Sequence, residues 1–149
     1  MKELIIPKEE AVFWLDKHGY WNNEHGKFQN KKIVEYFHSS IKRDSGGYYV
    51  GQNRDEIMEK VYFPYEDTAL FVFTVIKAEK IILVLNTGTE VELEPQDLYA
   101  KADSLYQQSG EDQIKFTDKA LMKISDLLTF EGENYFITVK QKIMEIPQR

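Results

Sequence analysis

At 149 residues the chain has the length of one domain or of two half-sized lobes. Its formal net charge of -6 argues against the basic stripe a nucleic-acid partner needs, and against adsorption to anionic lipid. It contains no cysteine, which excludes a disulfide framework, thiolate catalysis and a zinc–thiolate site.

The opening MKELIIPKEEAV lacks the long apolar core of a secretion signal, and no apolar run approaches the roughly 20 residues needed to span a bilayer. The expectation is a soluble, cytoplasmic protein. Val12–Leu15 and Tyr20-Trp21 are short apolar runs separated by the turn sequence Lys17-His18-Gly19, which predicts a small hairpin. Asn22–Gly26 is polar and turn-like, and Phe28 staples the start of a helix that Asn30 caps. Ile33, Val34, Phe37 and Ile41 form its apolar stripe. Burial of Ile33 and Phe37 is worth about 2–3 kcal/mol each before entropy. Lys42 and Arg43 suit its last turn, and Gly46-Gly47 stops it.

From Tyr48 the pattern predicts a β meander with pieces Tyr48–Gly51, Glu56–Phe63, Ala69–Lys77, Lys80–Leu85 and Glu90–Leu93. Ala69–Ile76 is apolar nearly throughout and predicts a central strand covered on both faces. Ala78-Glu79 and Asn86–Thr89 are turns. Pro95–Asp97 breaks the sheet, Leu98-Tyr99 and Leu105-Tyr106 are short strands or edge pieces, and Ser109–Asp112 is a loop. Thr117 or Asp118 caps a second helix with Ala120, Leu121, Ile124, Leu127 and Leu128 as its stripe. Gly132 and Asn134 then lead into a strand at Tyr135–Val139 that continues towards Ile143.

Asn30–Gln52 and Thr117–Val139 superpose at one fixed offset without a gap, sharing polarity pattern rather than letters. Two similar helix–turn–strand repeats imply an α+β fold: a mostly antiparallel, strongly bent sheet with two main helices. The alternative is chance, since amphipathic periods are generic. The expected division is an N-terminal lobe over 1–93, with the first repeat and the meander, and a C-terminal lobe over 94–149, packed as one compact unit on a shared sheet.

The order of short motifs resembles a known family. Leu15-Asp16-x-x-Gly19-x-Trp21 lies near that family's opening D-G-x-W. It is followed by Gly26, by Ile33-Val34-x-x-Phe37-x-x-x-Ile41, by Gly47, Tyr49 and Val50, and by Glu59-Lys60-Val61. Tyr65–Phe71 resembles its V-E-D-A-P-F, and Asn86-x-Gly88-x-Glu90-Val91 its T-N-x-G-D-x-V. Leu98-Tyr99 matches the start of its second lobe. The chain in this respect resembles the bacterial domain-of-unknown-function 1285 family. It departs from the pattern in the spacing of Asp16 and Gly19, in the absence of the A-P proline, and in lacking Thr-Pro before Glu59. The resemblance implies two lobes built on pleckstrin-homology-like repeats, a non-catalytic binding role in bacterial signalling, and a ligand cleft between the lobes.

Candidate chemistry is sparse. Glu59 and Lys60 interrupt an apolar strand and face opposite sides of it, so one lines a cleft or both are surface charges. Glu66-Asp67, after Pro64, offers two carboxylates for a cation or a ligand amine, or else plain turn chemistry with Asp67 holding the backbone of Thr68 or Ala69. His18, His25 and His38 lack ligand spacing and read as solvated or singly bonded. No glycine loop opens a helix to hold phosphate. Aromatics crowd the first half, a mark shared by cores and interfaces.

The expected function is a non-enzymatic module that binds a small ligand or a peptide at the lobe junction. Trp21, Tyr49, Glu59, Lys60, Glu66, Asp67 and Asn86 are its candidate contacts. No catalytic residue, metal, cofactor, nucleic acid or membrane is expected. The alternative is a homodimerising scaffold that uses an aromatic sheet face. A hydrolase or lyase built on Glu66, Asp67 and a histidine ranks last, because it needs those groups together in a cleft.

Overall fold

The computed structural model describes residues 2–149 and has an α+β architecture dominated by antiparallel strands. The chain forms two compact units, Met1–Ala69 and Leu70–Arg149.

In the first unit, β1 (Lys2–Ile6) is followed by the predicted hairpin, β2 (Phe13–Leu15) and β3 (Trp21–Asn23), and by the short β4 (Gly26–Lys27). Asp16 builds the hairpin turn by accepting the backbone N–H groups of His18 and Tyr20 at 2.9 and 3.0 Å. Asn30 caps α1 (Lys31–Ser39), its side chain accepting the Ile33 N–H at 3.1 Å. Next come β5 (Ile41–Asp44), β6 (Gly47–Arg54) and β7 (Ile57–Tyr62), joined in the order β1-β7-β6-β5.

This unit corrects three expectations. The helix stops at Ser39, not beyond Arg43. The Ser40 N–H and hydroxyl both bond the Tyr36 carbonyl, and Ile41 pairs with Val50 in the sheet. Gly46-Gly47 is therefore a hairpin turn between strands. Ile33 is 46% exposed; the inward face is Val34, Phe37 and the fully buried His38. Finally, β1 pairs with β7 in parallel, through Lys2↔Ile57 to Ile6↔Val61, a strand absent from the sequence reading.

Much of the aromatic excess of the first half packs inside this unit, although Tyr20 and Tyr36 remain about half exposed. Trp21 is 1% exposed and meets Phe13, Phe37 and Phe63 edge-on at centroid separations of 5.7, 5.4 and 4.9 Å. Phe28 packs edge-on against Phe37 at 5.1 Å, as the staple requires. Such edge-to-face contacts add about 0.5–1.5 kcal/mol each beyond area burial.

The second unit contains β8 (Leu70–Lys77), β9 (Ile81–Leu85), β10 (Glu90–Glu92), β11 (Leu98–Lys101), β12 (Ser104–Ser109) and β13 (Asp112–Phe116). They form one sheet in the order β10-β9-β8-β13-β12-β11. β8 is an interior strand as predicted, with Leu70, Phe71, Val72 and Val75 buried, but it is covered on both faces only over its first half: Thr74 and Ile76 are exposed. Its second neighbour is β13, in parallel. β13 lies in and after the stretch expected to be a loop. The meander is thus cut at Pro64–Thr68. The compact units meet at Ala69/Leu70 instead of 93/94, because β8 hydrogen-bonds into β9 and β13.

Thr117 caps α2 (Asp118–Lys123), its hydroxyl accepting the Ala120 N–H at 3.3 Å. α2 is one helical turn and a half; a 3-10 turn at Ser125–Leu127 follows, and Leu128 already belongs to β14 (Leu128–Glu131). β15 (Asn134–Val139) ends at a two-residue turn, where Lys140 and Gln141 have φ of 51° and 65°, and β16 (Lys142–Ile146) returns. These three strands form an antiparallel sheet of their own. Each unit therefore contains a capped helix followed by a three-stranded meander. Asn30 and Thr117 are 87 residues apart, as are Ile41 and Leu128, and Gly47 and Asn134.

Candidate functional site

Of the residues singled out in the sequence, six lie in the first unit, where Lys60 and Tyr49 are neighbours, and Asn86 lies in the second. Trp21 is core, and its Nε1–H donates to His38 Nδ1 at 3.1 Å. His38 is consequently not a solvated histidine but a buried acceptor. Burial pushes its pKa down to about 4. His18 and His25 are exposed, and among the described residues no cluster of three or more His, Asp or Glu side chains is placed to hold a metal.

Glu59 and Lys60 do face opposite sides of β7. On the helix side, Gln52 Nε2 donates to Glu59 Oε1 at 2.8 Å, and the Tyr36 hydroxyl donates to Gln52 Oε1 at 3.1 Å. On the other side the Lys60 ammonium lies 3.2 Å from Asp44, 3.5 Å from Glu3 and 5.1 Å from the centroid of the Tyr49 ring. Asp44 also accepts the Tyr62 hydroxyl and the Gly46 N–H, each at 2.9 Å. The hydrogen bond to Asp44 raises the pKa of Lys60 and of Tyr62. Desolvation draws Asp44 upward, but these donors outweigh it and hold its carboxyl below the usual range. Lys60 is thus committed to two carboxylates, and Tyr49 is its buried neighbour.

Glu66 accepts the Lys17 N–H at 2.9 Å, and its own N–H donates to the Leu15 carbonyl at 3.0 Å. Glu66 and Asp16 both hold backbone N–H groups at this corner. Asp67, half-buried, follows it. Asn86 is buried in the second unit. Its Oδ1 accepts the Phe71 N–H and its N–H donates to the Phe71 carbonyl, both at 2.9 Å, so it continues the β8–β9 ladder into the turn.

A half-open cavity of about 340 Å³ lies wholly within the second unit. Its apolar walls are Leu105 from β12, Leu121 from α2, Leu128 and Phe130 from β14, Tyr135 from β15 and Ile146 from β16. Strand alternation explains the set. Leu128, Phe130, Tyr135 and Ile146 share one face of the three-stranded sheet, through the pairs Phe130↔Tyr135 and Tyr135↔Ile146. Ala100 and Leu105 are cross-strand partners on one face of the larger sheet. The opposite face carries Tyr99 and Tyr106, stacked at 5.2 Å, and it draws the nearby cations. Lys101 lies 5.3 Å from the Tyr106 centroid and Arg149 lies 3.8 Å from the Tyr99 centroid. Phe130, 67% exposed and edge-on to Tyr135 at 4.8 Å, stands at the mouth.

None of these lining residues was singled out from the sequence. The available signal was alternation in Leu128-Thr129-Phe130 and Tyr135-Phe136-Ile137, which puts an aromatic ring on the same face from each strand.

No family model and no curated protein matches the chain. Two solved structures resemble it. A DUF1285 family protein from Silicibacter pomeroyi DSS-3 superposes with a TM-score of 0.65 at 13% identity, over 97% of this chain and 83% of that one. A DUF1285 family protein from Shewanella baltica OS155 gives 0.55 at 15% identity, over 80% of this chain and 94% of that one. The fold of this chain is therefore that of the DUF1285 family proteins, the family its motif order resembles.

Proposed function

We propose that the chain is a non-enzymatic binding module, and that its ligand is a small molecule with a largely apolar or aromatic body, held in the cavity of the second unit. The observation that carries this reading is the cavity itself. Its volume falls at the lower end of the roughly 300–1,000 Å³ usual for small-molecule sites. Six apolar side chains from five elements wall it, beside Lys101, Asp103, Ser104, Gln148 and Arg149; Lys101 and Arg149 also lie near the Tyr106 and Tyr99 rings. Phe130 and Tyr135 offer ring faces for stacking at the mouth. The polar residues first expected to contact a ligand are engaged by their neighbours, and Lys60 is the clearest case.

The competing expectation, a homodimer on an aromatic sheet face, draws less support, since the rings of the first half pack on one another. Titration with a neutral solvatochromic dye such as Nile red tests the cavity reading. The wild-type chain brightens the dye and shifts its emission to the blue. Leu121→Trp, which fills the cavity from α2, weakens binding by about tenfold or more in a chain that still unfolds cooperatively. Equal dye binding by the two proteins, or none by either, refutes the assignment.

A further inference from the structure

The cavity of the second unit is apolar along its walls and rich in donors at its rim. β11 and β12 join through the two-residue turn Ala102-Asp103, where φ is 49° and 64°. That turn sets Lys101 opposite Ser104, so the two side chains leave the same face at the end of the ladder. Lys101, Asp103 and Ser104 line the cavity together with Tyr135 and Arg149. Among the described residues neither Lys101 nor Arg149 forms an ion pair, and the hydroxyls of Ser104 and Tyr135 have no hydrogen-bond partner. Each cation rests near a ring instead, Lys101 at 5.3 Å from the Tyr106 centroid and Arg149 at 3.8 Å from the Tyr99 centroid. Such a contact orients a cation and leaves its charge without a counter-ion.

Charge and hydrogen-bonding capacity at the rim therefore run one way. An ammonium, a guanidinium and two hydroxyls can donate there, against the single carboxylate of Asp103. A cationic ligand would meet two like charges, and a neutral one would leave both cations as they are. A ligand with an apolar body and an anionic end would place its body among the leucines and its charge among the donors. No charge need be buried, because Lys101, Asp103 and Arg149 are all exposed. Of the side-chain charges, two cations against one carboxylate leave one positive charge over, which a monoanion matches.

We propose that the ligand of this cavity is a small carboxylic acid, bound as its anion with its aromatic or aliphatic body between Leu105, Leu121 and Leu128 and its carboxylate at the rim beside Lys101 and Arg149. The inference rests on the reading of the cavity as a ligand site and adds the ligand's charge to it. Lys101 and Arg149 favour the acid and Asp103 opposes it. Their exposure keeps the preference modest and sensitive to salt.

Isothermal titration calorimetry of the wild-type chain compares naphthylacetate with naphthylacetamide, which has the same body and no charge. At low salt the acid binds about fivefold tighter than the amide, and the ratio falls towards unity in about 0.5 M sodium chloride. Lys101→Gln combined with Arg149→Gln also brings the ratio close to unity. Asp103→Asn, where asparagine tolerates the left-handed turn, raises the ratio about twofold. Equal affinity for acid and amide in the wild type, or a preference that these substitutions leave unchanged, overturns the proposal. Binding of Nile red without either naphthyl compound refutes the acid and leaves the cavity reading standing, whereas binding of none of the three removes both.

Discussion

His38 supplies a pH test of the first unit's core. Trp21 donates to its Nδ1, so the neutral ring carries its own proton on Nε2. Protonation would set an N–H against the indole N–H and place a charge among the rings that surround Trp21. The folded chain accordingly holds His38 at about 4, against 6.5 for an unperturbed histidine. Because the folded pKa is the lower one, the unfolded state takes up the proton first as pH falls. Stability is undiminished above 6.5, declines below it, and levels off once pH passes the folded value. Linkage gives a loss on the order of 1 kcal/mol at pH 5.5 and about 3 kcal/mol at pH 4. Urea unfolding followed by tryptophan fluorescence from pH 7.5 to 4.5, in parallel with His38→Gln, isolates this contribution, since glutamine keeps an acceptor but does not titrate. Asp16 does not interfere. Its burial favours the neutral acid, yet the donors around it hold its pKa below 3.8, so its contribution is lost only at lower pH. Parallel loss of stability in both proteins, or an NMR titration of His38 near 6.5, would refute the buried-acceptor account.

Two further substitutions test the framework. Asn86→Ala strands the buried Phe71 N–H and should cost about 1–3 kcal/mol in chemical unfolding, whereas Asn86→Asp, which keeps the acceptor, should cost less. At Gly46 an added Cβ would lie 2.9 Å from the Tyr62 hydroxyl, so Gly46→Ala should push Tyr62 off Asp44. The expected readout is a melting temperature lowered by several degrees in the wild-type background and a smaller effect in Tyr62→Phe; equal effects in the two backgrounds would reject that coupling.

Local chemistry made part of this molecule readable in advance. The caps at Asn30 and Thr117, the hairpin around Lys17-His18-Gly19 and the interior strand at 70–77 each follow from residues adjacent in sequence. Pairing between distant segments was not readable. Lys2–Ile6 and Asp112–Phe116 have ordinary strand composition, and alternation does not say which edge a strand will join. That gap displaced the boundary from 93/94 to 69/70. Ile41 and Leu128 continue a helical period by coincidence, and their β-branched or apolar character served the sheet instead. The cavity was hidden for a related reason. Its walls span Ala100 to Arg149, and each of its leucines reads as core until five elements are brought together. That Trp21 is an inner ring was not readable, because an aromatic excess cannot distinguish an inner ring from a surface one.

The parallel seam in the second unit has a consequence for synthesis. β8 meets β13 through Leu70↔Ile114, Lys115↔Phe71 and Phe116↔Val72, with Leu70 made 44 residues before its partner. While the intervening chain is still being added, β9 can shield one side of β8, and the apolar run Ala69-Leu70-Phe71-Val72-Phe73 keeps an unsatisfied edge on the other. Nascent chains that stall in this interval, or variants that slow the arrival of β13, are the population from which self-association would start.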